Sequence, residues 1–121
     1  MQSIHILVAS TSSAFLHAAT LILRHNIRIA EVQEAQTGQE AVERVKTSHP
    51  DVVLLDVELP ALNLVEIVSQ LRGQSYMSRI VFMTLDDVTP YRAAASQFGL
   101  AGVIDKAHFA EEVEAFLAAI P

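Results

Sequence analysis

The chain has 121 residues, of which 51% are hydrophobic, and it contains no Cys. This length and composition fit one folded domain with a hydrophobic core, and the absence of Cys excludes disulfides, thiol catalysis and thiolate metal sites in the chain. Eight basic and 14 acidic residues give a net charge of −6, and with no basic stretch this argues against nucleic-acid binding by the chain itself.

The N-terminal segment, MQSIHILVAS, has no basic region before its short apolar run. It therefore does not look like a signal peptide. The apolar runs elsewhere are too short to span a bilayer. We expect a cytoplasmic domain that makes no contact with membranes.

Short apolar runs rich in β-branched residues alternate with segments of helical spacing. The runs are 4–9, 29–35, 52–56, 79–84 and 101–105. Three of them contain continuously apolar stretches (ILV, VVLL and IVFM), which is typical of strands buried on both faces. The last helical segment carries one apolar stripe, formed by Phe109, Val113, Phe116, Leu117 and Ile120. The alternation predicts an α/β fold of (βα)5 type, with a doubly wound parallel sheet.

Several residues predict where helices begin. One of the four hydroxyl residues at 10–13 is expected to cap the first helix. Thr37 and Glu40 have the spacing of a capping box. Thr89 is expected to cap the fourth helix, with Pro90 at its first position. Two polar intervals predict chain breaks: HPD at 49–51 and RGQS at 72–75.

Polar side chains follow the predicted strands at their carboxyl ends, where ligands bind in such sheets. Ser10 and Thr11 follow the first strand, Asp56 ends the third, Thr84 ends the fourth, and Lys106 follows the fifth. These groups could handle a phosphoryl group, with Asp56 as the nucleophile and Lys106 and Thr84 neutralising charge on the phosphoryl oxygens.

Three blocks resemble the receiver domain of bacterial two-component response regulators. They are HPDVVLLDVELP at 49–60, IVFMT at 80–84 and FGLAGVIDK at 98–106. The resemblance covers essentially the whole chain, 1–121, and implies a five-stranded parallel sheet in flavodoxin-like order. It also implies that Asp56 is the phosphoacceptor, that Lys106 contacts the phosphate, and that Thr84 is the hydroxyl beside it.

The same resemblance implies a signalling module rather than a turnover enzyme, active at most in its own phosphorylation and dephosphorylation at Asp56. The implied partner is a histidine kinase or a phosphotransfer protein. A homodimer through the fourth helix, fifth strand and fifth helix is a further expectation. Receivers often precede a DNA-binding domain, so the chain is expected to be a stand-alone receiver or the N-terminal part of a longer regulator.

The sequence also departs from the family pattern. The two adjacent acids that hold Mg²⁺ in the family fall on Ser10 and Thr11, which offer oxygen but no charge. We therefore expect Mg²⁺ to bind weakly if at all, with Asp56 and Glu58 as weak ligand candidates, and we expect no other cofactor. Three further positions differ: Val103 replaces a usual Tyr or Phe, Leu64 a usual Gly, and Leu85 a small residue, whose bulk is expected to narrow access to Asp56.

Two functions remain open at this point, with a third that is remote. The chain could be a phosphotransfer switch through Asp56. It could instead be a pseudo-receiver that binds partners without phosphorylation and keeps Asp56 in a salt bridge with Lys106. A flavodoxin-like FMN binder is remote because no Gly lies between 1 and 37.

The remaining acidic and His residues are not expected to form part of the site. Asp105 is expected to point away from the crevice, and Asp86 and Asp87 are expected in a solvated turn. The five His residues show no paired metal spacing.

Overall fold

The computed structural model describes residues 3–59, 64–74 and 78–121. Its strands are β1 (Ile4–Ala9), β2 (Ile29–Ala35), β3 (Val52–Asp56), β4 (Arg79–Thr84) and β5 (Gly102–Asp105). Its helices are α1 (Ser13–Arg24), α2 (Gly38–Ser48), α3 (Leu64–Gln74), α4 (Thr89–Phe98) and α5 (Phe109–Ala118), and a 3₁₀ turn, Lys106–His108, joins β5 to α5. The predicted alternation of strand and helix is confirmed, and β5 begins one residue later than the predicted run.

The strands form one parallel sheet in the order β2-β1-β3-β4-β5. This is the flavodoxin-like order expected above. The order reverses next to β1, because the chain passes from the β2 side of β1 to the β3 side. The carboxyl ends of β1 and β3 therefore border a crevice, the usual place for a ligand in such sheets.

Side chains from successive strand positions enter two separate cores, one on each face of the sheet. Leu7 and Leu55 pack on the face covered by α2, α3 and α4. Ile6 and Leu54 pack on the opposite face, which α1 and α5 cover. This division follows from strand geometry, since neighbouring residues point to opposite faces. The central strand β3 is buried along its whole length, as its continuously apolar sequence predicted.

Two helix starts form close to the predicted positions. Ser12 is the N-cap of α1 and its hydroxyl accepts a hydrogen bond from the backbone N–H of Phe15. Thr37 caps α2 by accepting from the N–H of Glu40. The carboxylate of Glu40 accepts from the N–H of Gln36 instead of Thr37, so the box closes one residue earlier than its usual form.

Other boundaries correct the sequence predictions. Thr89 does not cap α4: it is the first helical residue, Val88 is the cap residue without a side-chain hydrogen bond, and Asp87 accepts from the N–H of Thr89. Asp at this spacing forms a local side-chain turn that competes well with a Thr cap. The break predicted at 72–75 is also wrong in part, because α3 continues to Gln74.

The ends of the remaining segments agree more closely with prediction. The break at 49–51 is confirmed, since α2 ends at Ser48 and the cap residue that follows, His49, has a left-handed conformation. Phe109, Val113 and Leu117 of the predicted stripe are buried, whereas Ile120 lies beyond the end of α5. Pro60, the last residue of the first family-like block, lies outside the described residues. Within the described segments, no helix has the length and apolar character needed to cross a membrane.

Candidate functional site

Asp56 lies at the carboxyl end of β3, in the middle of the sheet between β1 and β4. It is 3% exposed and is the only buried charged residue in the described part of the chain. A buried carboxylate is costly unless it is paired and hydrogen-bonded. The contacts of this one carboxylate therefore define the candidate site.

Both carboxylate oxygens of Asp56 have partners. Oδ2 accepts a hydrogen bond from the ammonium group of Lys106 at 2.7 Å and another from the hydroxyl of Ser10 at 2.8 Å. Oδ1 accepts one hydrogen bond, from the backbone N–H of Glu58 at 3.0 Å. The structure thus brings together three of the predicted site residues: Asp56, Lys106 and Ser10.

Lys106 reaches the site from the 3₁₀ turn after β5. Its ammonium nitrogen lies 4.5 Å from the ring centroid of Phe15, within the range of a cation–π interaction. The Phe15 ring contacts Phe109 edge-on, with centroids 5.2 Å apart. A functional role for Phe15 was not predicted, because an aromatic residue in the first turn of an amphipathic helix usually indicates core packing alone.

The hydroxyl residues after β1 have different environments. Ser10 is completely buried, and its oxygen also accepts a hydrogen bond from the N–H of Ser12. Thr11 is exposed and does not join the cluster around Asp56. Because Ser10 and Ser12 use their hydroxyls within the fold, this segment is not an open cradle for a phosphate, which argues against FMN binding.

Thr84 is buried at the end of β4, where it was predicted to lie. Its hydroxyl accepts a hydrogen bond from the N–H of Asp86 at 3.0 Å, so this contact is within the loop after β4 and does not involve Asp56. Val103 and Leu64 are partly buried against the core on the α2–α4 face. Leu85 is 65% exposed, so most of its side chain faces solvent rather than covering Asp56. The structure thus gives no support to the expected narrowing of the crevice.

The donor set at this edge does not match a magnesium site. Mg²⁺ takes oxygen ligands and is usually held by carboxylates, whose charge offsets the cost of dehydration. Asp56 supplies a single buried carboxylate, and its Oδ2 already accepts from an ammonium and a hydroxyl group. Glu58 and Thr11 are exposed. The residues present therefore do not fit a magnesium ion without rearrangement.

A group with metal-ligand chemistry lies just beyond Lys106. Ligand atoms of Asp105, His108 and Glu112 lie within 4.8 Å of one another. This group was not predicted, because metal-ligand spacing was sought only between pairs of His residues. The spacing of His108 and Glu112, four residues apart and so on one face of a helix, was the signal that could have revealed it. Asp105 contacts the turn that follows it, consistent with its expected direction away from the crevice.

The loop between β4 and α4 contains a carboxylate with a shifted pKa. Asp87 is exposed, as is Asp86, in agreement with the predicted solvated turn. Hydrogen bonds from the backbone and side chain of Thr89 lower the pKa of Asp87, with a smaller contribution from the charge of Arg92. These interactions favour the charged carboxylate at the start of α4.

Comparison with known proteins adds independent evidence on the family. Residues 6–118 match the family described as the response regulator receiver domain. The protein-glutamate methylesterase/protein-glutamine glutaminase of Colwellia psychrerythraea is 36% identical over 80 residues, which cover 66% of this chain and 21% of that protein. The chain thus spans about a fifth of the length of such curated relatives.

Solved structures with the same fold include two from bacterial signalling. The response regulator domain of Thermotoga maritima CheB superposes with a TM-score of 0.83 at 22% identity, covering 98% of this chain and 96% of that one. A chain from the complex of the CheA3 P1 domain with CheY6 from R. sphaeroides superposes with a TM-score of 0.78 at 21% identity, covering 98% and 100%. These similarities show the fold, and the match over residues 6–118 shows that the chain belongs to the response regulator receiver domain family of two-component systems.

Proposed function

We propose that this receiver accepts a phosphoryl group on Asp56 from a histidine kinase or a phosphotransfer protein, at a site that binds Mg²⁺ weakly if at all. The observation that carries the proposal is the 2.7 Å contact between Asp56 and Lys106 at the carboxyl end of the central strand. A carboxylate nucleophile and a fixed cation beside it are two of the groups that support phosphoryl transfer. The complex of the CheA3 P1 domain with CheY6 supports the kind of partner.

The contacts of Asp56 suggest how the transfer would proceed. Among the described residues, Oδ1 accepts a single hydrogen bond, which leaves a lone pair for attack on phosphorus. The new bond joins Oδ1 to phosphorus as the bond between phosphorus and the donor's histidine nitrogen breaks, and that nitrogen keeps the electron pair. Lys106 and the hydroxyl of Ser10, which both contact Asp56, are then two groups that help to offset the added negative charge.

The replacement of the acid pair determines how efficient such a reaction can be. A metal ion stabilises the transferring phosphoryl group by direct interaction with its oxygens. Ser10 occupies one of the two acid positions and donates a hydrogen bond to Asp56, so it supplies a dipole but no ligand charge. We therefore propose slow phosphorylation with little dependence on Mg²⁺.

A second function is favoured by a different observation. In the described residues no buried side-chain nitrogen or oxygen lacks a hydrogen-bond partner, so the site is satisfied with neither metal nor phosphate. Ile104 and Phe116 border a groove of about 360 Å³ between β5 and α5. A pseudo-receiver that binds a partner or a second copy through the α4–β5–α5 face is consistent with both observations.

One experiment separates the two functions. The whole chain is incubated with acetyl phosphate or beryllofluoride, with and without Mg²⁺, and followed by intact mass and by NMR. Phosphotransfer predicts a mass increase of one phosphoryl group and shifts around Asp56 that are absent in Asp56→Asn. The matched control, Asp86→Asn, removes an exposed carboxylate from the same edge of the sheet and should respond like the wild type. No response in any condition would leave the pseudo-receiver function.

The metal part of the proposal has its own test. Substituting Ser10→Asp together with Thr11→Asp should create a site at which Mg²⁺ produces NMR shifts near Asp56, whereas the wild type should show none at the same concentration. Ser13→Asp adds an acid to the same segment away from Asp56 and serves as the control. Mg²⁺ shifts of equal size around Asp56 in the wild type would contradict the proposed weakness of the site.

A further inference from the structure

We propose that Asp105, His108 and Glu112 form a binding site for a divalent transition-metal ion such as Zn²⁺, separate from the crevice around Asp56. The three side chains come from the end of β5, the 3₁₀ turn and the first turn of α5. Their ligand atoms, one from each residue, lie within 4.8 Å of one another. The site is thus built at a single junction of the fold.

The separations suit coordination after small side-chain rotations. Zn²⁺ binds His nitrogen and carboxylate oxygen at about 2.1 Å, so two ligand atoms on one ion lie at most about 4.2 Å apart. Nδ1 of His108 and Oδ2 of Asp105 are already 3.4 Å apart. A modest rotation of Glu112 would therefore complete a set of three ligands.

The remaining contacts hold the two carboxylates in place but leave ligand atoms available. Oε1 of Glu112 accepts from the N–H of Asp105, and Oδ1 of Asp105 accepts from the N–H of Ala107. Each carboxylate thus has a second oxygen that these two hydrogen bonds do not use. In Asp105 this oxygen is Oδ2, which is the one near His108. Fixed carboxylates of this kind lower the entropy cost of binding an ion.

The ligand types determine the kind of metal. One imidazole and two carboxylates suit Zn²⁺ and its neighbours in the transition series, whereas Mg²⁺ prefers oxygen ligands alone. His108 and Asp105 are 62% and 30% exposed in their side chains, so solvent reaches the site. Three protein ligands with an accessible fourth position constitute an open site that keeps a water molecule on the ion.

The alternative is that the His108–Asp105 contact is only a surface ion pair. Such pairs contribute little to stability because solvent screens the attraction and the side chains lose freedom. Glu112 is held near the pair by the hydrogen bond that it accepts from the N–H of Asp105, and this bond uses only one of its two carboxylate oxygens. The convergence of all three groups is what favours the metal site.

The test is a titration of the whole chain with Zn²⁺, followed by calorimetry and NMR. We expect one equivalent to bind, with shifts centred on the β5–α5 junction and not on Ser10 or Asp56. His108→Gln and Glu112→Gln should each weaken binding by about tenfold or more. His17→Gln, which removes an exposed imidazole from α1, should leave the affinity unchanged.

Both test substitutions are at positions that the fold tolerates, because His108 is exposed and Gln at 112 can still accept the hydrogen bond from Asp105. Absence of saturable binding would overturn the proposal. Equal affinity in the wild type and His108→Gln would also overturn it, as would displacement of Zn²⁺ by an equal concentration of Mg²⁺.

Discussion

At the scale of single residues, side chains of the protein itself offset the negative charge of Asp56. The ammonium of Lys106 supplies the opposite charge, and the hydroxyl of Ser10 satisfies a further lone pair. The side chains of Lys106 and Asp56 are only 9% and 4% exposed. Such a pair adds little net stability compared with apolar residues, but removing one partner leaves the other charge buried.

Replacing Lys106 therefore tests how strongly the site depends on this charge. Lys106→Met should lower the free energy of unfolding by roughly 3 kcal/mol, because it leaves a buried carboxylate with hydroxyl and amide partners only. The double variant Lys106→Met with Asp56→Asn should recover most of the loss. Urea unfolding followed by circular dichroism measures both changes.

The control for this prediction is Lys46→Met, which removes an exposed ammonium from α2. It should change the free energy of unfolding by no more than about 0.5 kcal/mol. If Lys106→Met had an equally small effect, the ion pair with Asp56 would not be important to the folded state.

At the scale of elements, the ends of the helices show how local chemistry fixes the loops around the site. Helix α4 starts with a side-chain turn at Asp87 and ends at Gly99 with a φ of 68°. These ends border the loops that connect α4 to β4, which ends at Thr84, and to β5, which Lys106 follows. A substitution that destabilises either end of α4 is therefore expected to shift the loops beside the crevice.

Gly99 and Gly73 provide a matched pair. Gly99→Ala should lower the free energy of unfolding by about 1 kcal/mol, because a side chain is unfavourable in the left-handed conformation; a Cβ there would meet Arg72 at an ordinary 3.5 Å. Gly73→Ala should instead raise it by about 0.5–1 kcal/mol, since Gly73 lies within α3 and a Cβ there has nothing within 4 Å. Thermal or urea unfolding of both variants checks the opposite signs.

Asp87 gives a prediction that depends on pH. Its pKa is lowered in the folded state by the hydrogen bonds from Thr89, so its charged form stabilises the fold. This contribution is fully present above the ordinary pKa of an Asp and disappears as the pH falls through the lowered value. The melting temperature of Asp87→Ala should thus lie below that of the wild type at neutral pH, and the difference should shrink in acid.

Asp86→Ala is the control for the pH series, because Asp86 is the neighbouring exposed carboxylate in the same loop. It should show a smaller change than Asp87→Ala at neutral pH. A difference between Asp87→Ala and the wild type that stayed constant down to strongly acidic pH would contradict the assigned role of the carboxylate.

The elements also explain which features could be predicted from sequence. Continuously apolar runs located β1, β3 and β4 because both faces of these strands are buried, and the family-like blocks indicated Asp56 and Lys106. Local competition between side chains was not predictable in the same way: the cap residue of α4 is Val88, and the side chain of Asp87, not of Thr89, accepts a hydrogen bond at this helix start. The hydrogen bond from Ser10 to Asp56 joins residues 46 positions apart, so only the folded arrangement reveals it.

At the scale of the whole molecule, the side chain of Arg28 connects the start of β2 to the C-terminal end of α5. Arg28 precedes β2 and donates hydrogen bonds to the carbonyl oxygens of Leu117 at 2.6 Å and Ile120 at 2.9 Å. Leu117 lies in the last turn of α5 and Ile120 just beyond it, where carbonyls lack the full set of helix partners; the Leu117 carbonyl also accepts from the N–H of Ile120. A cation at this end is also favoured by the helix dipole.

Arg28→Met should therefore loosen α5 from the sheet without changing the site directly. We expect a loss of about 2 kcal/mol in the free energy of unfolding, from charge-assisted hydrogen bonds that are left unmade. Faster amide hydrogen exchange should be confined to the last turns of α5, because local opening there costs less free energy once the contacts to Arg28 are absent.

Arg44→Met, at an exposed position of α2, controls for the lost charge. An equal effect of both substitutions would show that Arg28 does not hold α5. Phe109, whose ring contacts Phe15, begins α5, whereas the contacts of Arg28 are at the other end of the helix. The side-chain NMR signals of Lys106, which lies above the Phe15 ring, should therefore stay as in the wild type.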